Sequence, residues 1–110
     1  MSIRLRGKTG EERHGVTAAA SDAVLAAGGH ILDYNQFSNL AVCFTIELPP
    51  AGIAPLRQQL TALGVELEAP SAEELALAKS HGAGEVAGSL RLDFQHHEPD
   101  LRIQIPAVPG

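Results

Sequence analysis

Arg13-His14-Gly15-Val16-Thr17 is the stretch of this sequence whose residue types could best hold a ligand. A glycine placed where a strand hands over to a helix leaves backbone N–H groups unpaired, and the positive end of the helix dipole faces the same way. A small carboxylate suits such a turn, although a glycine before a helix also serves simply to turn the chain. Among side chains, Glu12, His14 and His30 form the only group suited to acid–base work. His96 and His97 are adjacent, so on a strand their side chains diverge, whereas a metal needs three or four convergent ligands. His81 stands in a glycine-containing linker with no acidic or thiol partner at ligand spacing. No Ser or Cys nucleophile has a recognisable base nearby, and no phosphate loop, dinucleotide fingerprint or paired zinc motif occurs. The expectation is therefore no active site, no metal and no cofactor.

The elements that must position the loop follow from periodicity. Met1 to Arg6 alternates, with Ile3 and Leu5 on one side, which predicts a first strand. Gly7 to Gly15 has no apolar residue and reads as a solvated connection. Val16, Ala20, Ala23, Val24 and Ala27 recur at helical spacing, and Gly28 and Gly29 end that helix. Ile31 to Phe37 and Leu40 to Leu48 flank a Ser38, Asn39 turn and predict a hairpin, with Leu40, Val42, Phe44, Ile46 and Leu48 on its core face. The first strand of that hairpin is apolar on neither face, which places it at a sheet edge or under a partner. Ile53, Leu56, Leu60 and Leu63 predict a second helix stopped at Gly64, and Val65 to Glu68 a short strand closed by Pro70.

Strand, helix, strand, strand, helix, strand is the split βαβ order. The predicted fold is therefore α+β, a ferredoxin-like βαββαβ sandwich over residues 1–69, with a four-stranded antiparallel sheet and two helices on one face. Ser71 with Glu74 has capping-box spacing and predicts a short third helix, followed by a Gly and Ala linker, so that residues 70–88 form one connecting segment. Leu90, Leu92 and Phe94, then Leu101, Ile103 and Ile105, predict a C-terminal β-hairpin extension over 89–110, its loop at His96 to Asp100.

Composition narrows the partners. The chain has 110 residues, enough for one domain with one core, and 45% of them are apolar. Eight Lys and Arg against thirteen Asp and Glu give a net charge of −5, which argues against a phosphate-backbone partner and hence against nucleic acid. The single Cys43 lies in an apolar run and fits a reduced compartment. No stretch reaches the roughly 18 to 20 apolar residues that cross a bilayer, and no leader pattern opens the sequence, so a cytoplasmic protein without membrane contact is expected.

Over about residues 1–69 the sequence resembles the ACT domain, a ligand-binding regulatory module with this element order. The resemblance rests on Arg13-His14-Gly15-Val16-Thr17-Ala18-Ala19 together with Ala26-Ala27-Gly28-Gly29-His30-Ile31-Leu32-Asp33. It is similar to the modules attached to phosphoserine phosphatase, formyltetrahydrofolate deformylase and the glycine cleavage repressor. The resemblance implies a homodimer or higher assembly that binds an amino acid between the loop of one subunit and strand two or the helix of its neighbour. It implies backbone N–H groups of Gly15 and Val16 on the ligand carboxylate, Glu12 near the amino group, and His30 where the family has a strand-two Asn. Arg13 and His14 belong to the same loop, and Asn35 could line a polar site at a subunit interface. The sequence departs from the family pattern at three of these positions. Glu12 is longer than the usual Asp or Asn, His14 replaces a rigidifying Pro, and His30 replaces an amide.

Three functions compete on these readings. The favoured one is a small regulatory protein that binds an amino acid or related carboxylate at a homodimer interface and passes occupancy to a partner enzyme or regulator. The alternative is a ligand-free dimerisation or protein-interaction module. The third is an enzyme built on Glu12, His14 and His30.

Overall fold

Alternating strands and helices with one apolar stripe can bury their faces only against each other, and here they do so in two layers. The computed structural model describes residues 2–38, 40–79 and 84–95. In chain order the elements are β1 (Ser2–Thr9), α1 (Arg13–Ala26), β2 (His30–Ser38), β3 (Ala41–Leu48), a 3-10 turn (Pro50–Gly52), α2 (Ile53–Ala62), β4 (Glu66–Leu67), α3 (Ala72–Ala78) and β5 (Val86–Phe94). The fold is the expected ferredoxin-like α+β arrangement. Leu5, Val42, Ile46, Leu90 and Leu92 from the sheet meet Val24, Leu56 and Leu60 from the helices in one aliphatic core, all of them fully buried. Each such side chain contributes about 1.5–3 kcal/mol when removed from water.

The helices end where the sequence stops them. Gly28, at φ 87°, closes α1, its N–H donating to the Leu25 carbonyl while the Gly29 N–H donates to that of Val24. Gly64, at φ 92°, does the same for α2, and Val65 N–H reaches the Leu60 carbonyl. Both are left-handed caps that a residue with a Cβ would strain. Ser71 caps α3 through its hydroxyl, which accepts from the Glu74 N–H at 3.0 Å.

The sheet has one strand more than the four antiparallel ones expected. Its order is β2-β3-β5-β1-β4, with β5 parallel to β1 and antiparallel to β3. Alternation correctly marks β5 as a strand with Leu90, Leu92 and Phe94 on the core side, but periodicity says nothing about which edge a strand pairs with. A glycine allows the insertion. A Cβ on Gly88 would stand 2.6 Å from Ile3 Cγ1 and 2.7 Å from the Ile3 carbonyl oxygen, so Ile3 occupies the space above β5 that a side chain would need.

Two boundaries move for related reasons. β1 continues through Gly7 and Thr9, which sequence alone assigns to the solvated connection, because both face the core and β5 supplies a ladder as far as Phe94. α1 correspondingly starts at Arg13 rather than Val16. β5 starts at Val86, inside the expected linker. The loop at His96 to Asp100, the second hairpin strand at Leu101 to Ile105, and His81 lie outside the described residues.

The helices cover one face of the sheet, and among the described residues the other is uncovered. Register aligns Arg6, Arg91, Cys43 and Asn35 across β1, β5, β3 and β2 on that open face, with Arg4, Ser89, Thr45 and Asp33 in the next row. Among the described residues no helix is long and apolar enough to cross a membrane.

Candidate functional site

The amides at the start of α1 are the natural anion-binding groups of this fold, and the chain fills them itself. Glu12 is the N-cap, with extended backbone at φ −66° and ψ 132°. Its Oε2 accepts from the His14 N–H and its Oε1 from the Gly15 N–H, both at 2.8 Å, while its carbonyl accepts from the Val16 N–H at 3.1 Å. The three amides that would grip a ligand carboxylate therefore already hold a carboxylate and a carbonyl. The His14 and Gly15 hydrogen bonds hold the Glu12 carboxyl below its ordinary pKa, with the charges of His14 and Arg13 adding to the effect. Glu12 was not legible as a cap because Ser, Thr, Asp and Asn are the residues that usually fill this position.

The space around these amides is small. Glu11, Glu12, Gly15, Val16, Ala19 and Leu63 line a shallow cavity of about 200 Å³, below the roughly 300 Å³ at which small-molecule pockets begin. A Cβ on Gly15 would meet Glu12 Oε1 at 3.3 Å, so the glycine leaves room for the capping carboxylate. Arg13 Nη2 and His14 Nε2 lie 3.3 Å apart at the surface. The Thr17 hydroxyl in the same motif is buried with no hydrogen-bond partner. A larger cavity of about 440 Å³ lies elsewhere, beside Arg6, Lys8, Glu66, Glu68 and Asp93. Its cations and carboxylates offset one another, with Lys8 Nζ 3.6 Å from Glu66 Oε1.

Within one chain His30 and Asn35 lie away from the loop, whereas the resemblance implies that strand two meets the loop of a neighbouring subunit. His30 opens β2, in register with Glu47, Ala87 and finally Ser2, at the end of the sheet where β1 begins. Glu12 follows the other end of β1, so the length of a strand, about 23 Å, separates them. His30 is exposed, with Nε2 3.8 Å from Glu85 Oε2. Asn35 lies on the open face and donates from Nδ2 to Asp33 Oδ2 at 3.2 Å. The insertion of β5 widens the gap further, because β3 and β5 now both stand between β1 and β2. Among the described residues no group of three or more His, Cys, Asp or Glu could hold a metal ion.

The strand that the sequence places at a sheet edge or under a partner is, among the described residues, left unpaired on one side. β2 spans nine residues, pairs with β3 on one side and, among the described residues, has no strand neighbour on the other. Leu32, Tyr34 and Phe37 on it are exposed at 55%, 43% and 61%, and Leu25 on α1, which packs against β2, at 55%. Register shifts at Leu32 and Phe37 are the only irregularities along the strand. Phe37 carries the Arg91 guanidinium 5.5 Å from its ring centroid, and Tyr34 packs on Phe44 at 5.2 Å between ring centres.

Fold and site together define a small ferredoxin-like α+β domain of the kind that serves as a regulatory or interaction module. No protein family, no curated protein and no solved structure matches the chain.

Proposed function

We infer that the chain is a small regulatory interaction module of the ACT type that assembles by pairing its β2 edge with that of a second copy. The observation that carries this reading is the nine-residue outer edge of β2, which no described strand pairs with and along which Leu32, Tyr34 and Phe37 are exposed. Long, apolar edge strands are templates for another strand, and most proteins blunt them with lysine, proline or a covering element. β2 contains neither residue. Two such edges paired antiparallel about a two-fold axis satisfy the unpaired backbone groups of both copies. Sedimentation velocity from micromolar to millimolar protein tests the reading. The expected result is a dimer at the upper end that Leu32→Lys abolishes, since a lysine on an edge strand opposes strand addition. A chain that stays monomeric at millimolar concentration overturns it.

The Glu12 geometry favours a second reading, in which a small amino carboxylate takes the α1 amides in exchange for Glu12. Those amides already bind a carboxylate with both its oxygens, and that carboxylate is on an exposed side chain able to swing away. Amide shifts of His14 to Val16 during titration with the proteinogenic amino acids test it. A ligand should move them at lower concentration in Glu12→Ala than in the natural chain. Unmoved amides in both remove the metabolite and leave the assembly module.

A further inference from the structure

The two sides of β1 are paired to different extents. β5 runs beside it from Ser2 to Thr9, whereas β4 meets it only at Gly7 and Lys8. Successive residues of a strand turn their backbone groups to opposite sides. Thr9 accepts from the Gln95 N–H on the β5 side and Arg6 from the Glu68 N–H on the β4 side, both at 2.8 Å, so the even-numbered residues face outward. β4 goes no further. The Glu68 carbonyl accepts from Arg57 Nη1 at 3.0 Å, and the position that would come opposite Arg4 is Pro70, which has no N–H to give. Among the described residues both backbone groups of Arg4 and the Arg6 N–H therefore have no partner.

Acids of the same chain hold the rest of this edge. Glu66 stands opposite Lys8 and pairs with it at 3.6 Å, Glu68 comes opposite Arg6, and Glu73 of α3 accepts from the Ser2 N–H at 3.3 Å through Oε2. Among the described residues Arg4 is the one outward-facing position of β1 that no acidic residue meets. Its side chain is exposed on the open face, in line with Arg6 and Lys8. We propose that the outer edge of β1 around Arg4 docks an extended acidic segment of a partner protein, which adds in line with β4 and antiparallel to β1. A carboxylate opposite Arg4 continues the alternation that Glu66 and Glu68 begin, and the main chain of the segment takes the groups that Pro70 leaves. Strand addition of this kind draws affinity from main-chain bonds and selectivity from alternate side chains. A second copy of this chain is the wrong occupant, because two such edges centred on Arg4 about a two-fold axis set the Arg4 side chains against each other. β3 and β5 separate this edge from β2, so the docking does not depend on how β2 is paired.

The probe is a short blocked peptide of alternating glutamate and threonine, beside the same peptide with glutamine or lysine in place of glutamate. Amide spectra and hydrogen exchange of the full natural chain read the result. The glutamate peptide should shift and protect the Arg4 and Arg6 amides, and the glutamine peptide should do so far less. In Arg4→Glu, an exposed substitution, the glutamate peptide should bind about five-fold or more weakly, and the lysine peptide more tightly than it binds the natural chain. A reversed preference is something that general loss of structure does not produce. Glutamate and glutamine peptides that bind alike, a preference that Arg4→Glu leaves unchanged, or shifts confined to β2 overturn the inference. So does an Arg4 amide that no peptide moves at millimolar concentration. Slow exchange at that amide before any peptide is added would mean that the edge is already filled, and overturns it as well.

Discussion

The N-terminus of α1 and the outer edge of β2 pose the same problem, backbone donors with no partner in their own element, and the chain treats them in opposite ways. At α1 a single exposed side chain, Glu12, closes the helix with two hydrogen bonds at 2.8 Å. At β2 nothing described closes the edge, and exposed Leu32, Tyr34 and Phe37 lie along it. A site that the chain completes locally has little left to offer a partner. A site left open over nine residues has backbone pairing and apolar area to offer, which is how strand addition obtains both its affinity and its register.

Substitutions can break this contrast or sharpen it. The largest effect is expected at another carboxylate, the Glu74 side chain of α3, which pairs with Arg57 rather than with backbone donors. It is 3% exposed and receives the Arg57 guanidinium through Nε and Nη2, while Nη1 donates to the Glu68 carbonyl at 3.0 Å. Removing one partner of a buried pair strands the other, so Glu74→Ala should lower unfolding free energy by about 3 kcal/mol, measured by urea denaturation. Against the exposed Glu12 cap, this shows how far burial raises the worth of a paired carboxylate. Gly88→Ala comes next, at about 1–3 kcal/mol, because a Cβ there presses on Ile3 and pushes β5 from β1. Loss of stability without β5 leaving the sheet would show that the insertion rests on more than this contact.

Leu32→Lys changes a side chain that faces solvent at a bulge, so unfolding free energy should stay within about 0.5 kcal/mol while dimerisation is lost. A variant that unfolds instead would mean that Leu32 serves the monomer. The smallest effect is at Glu12. Its folded carboxyl titrates lower than in the unfolded chain, so its contribution is present above the unfolded carboxylate range and is lost as pH falls through the folded value. Thermal unfolding of the natural chain and Glu12→Gln should therefore differ at neutral pH and converge in acid. Equal melting at every pH would show that the amides gain nothing from the carboxylate.

What the sequence disclosed, and what it hid, follows the physics of each signal. The α1 stripe at Val16, Ala20, Ala23 and Val24, the glycine stops at 28 and 64 and the Ser71 cap are local patterns, and all are present. The strand character of β5 was legible in Leu90, Leu92 and Phe94, but its place was not, since pairing partners are a property of the whole sheet. Gly7 and Thr9 looked like loop residues because a buried glycine and a buried threonine carry no hydrophobic signal. At the candidate site, a helix opening beside Gly15 was readable, although its first residue is Arg13 rather than Val16. The capping role of Glu12 was not.

The most direct test of the central claim is sedimentation of the natural chain beside Leu32→Lys across the same concentration range. The account predicts reversible dimers of the natural chain at millimolar protein and monomers of the variant throughout. Association that Leu32→Lys leaves unchanged would place the interface away from β2 and contradict it.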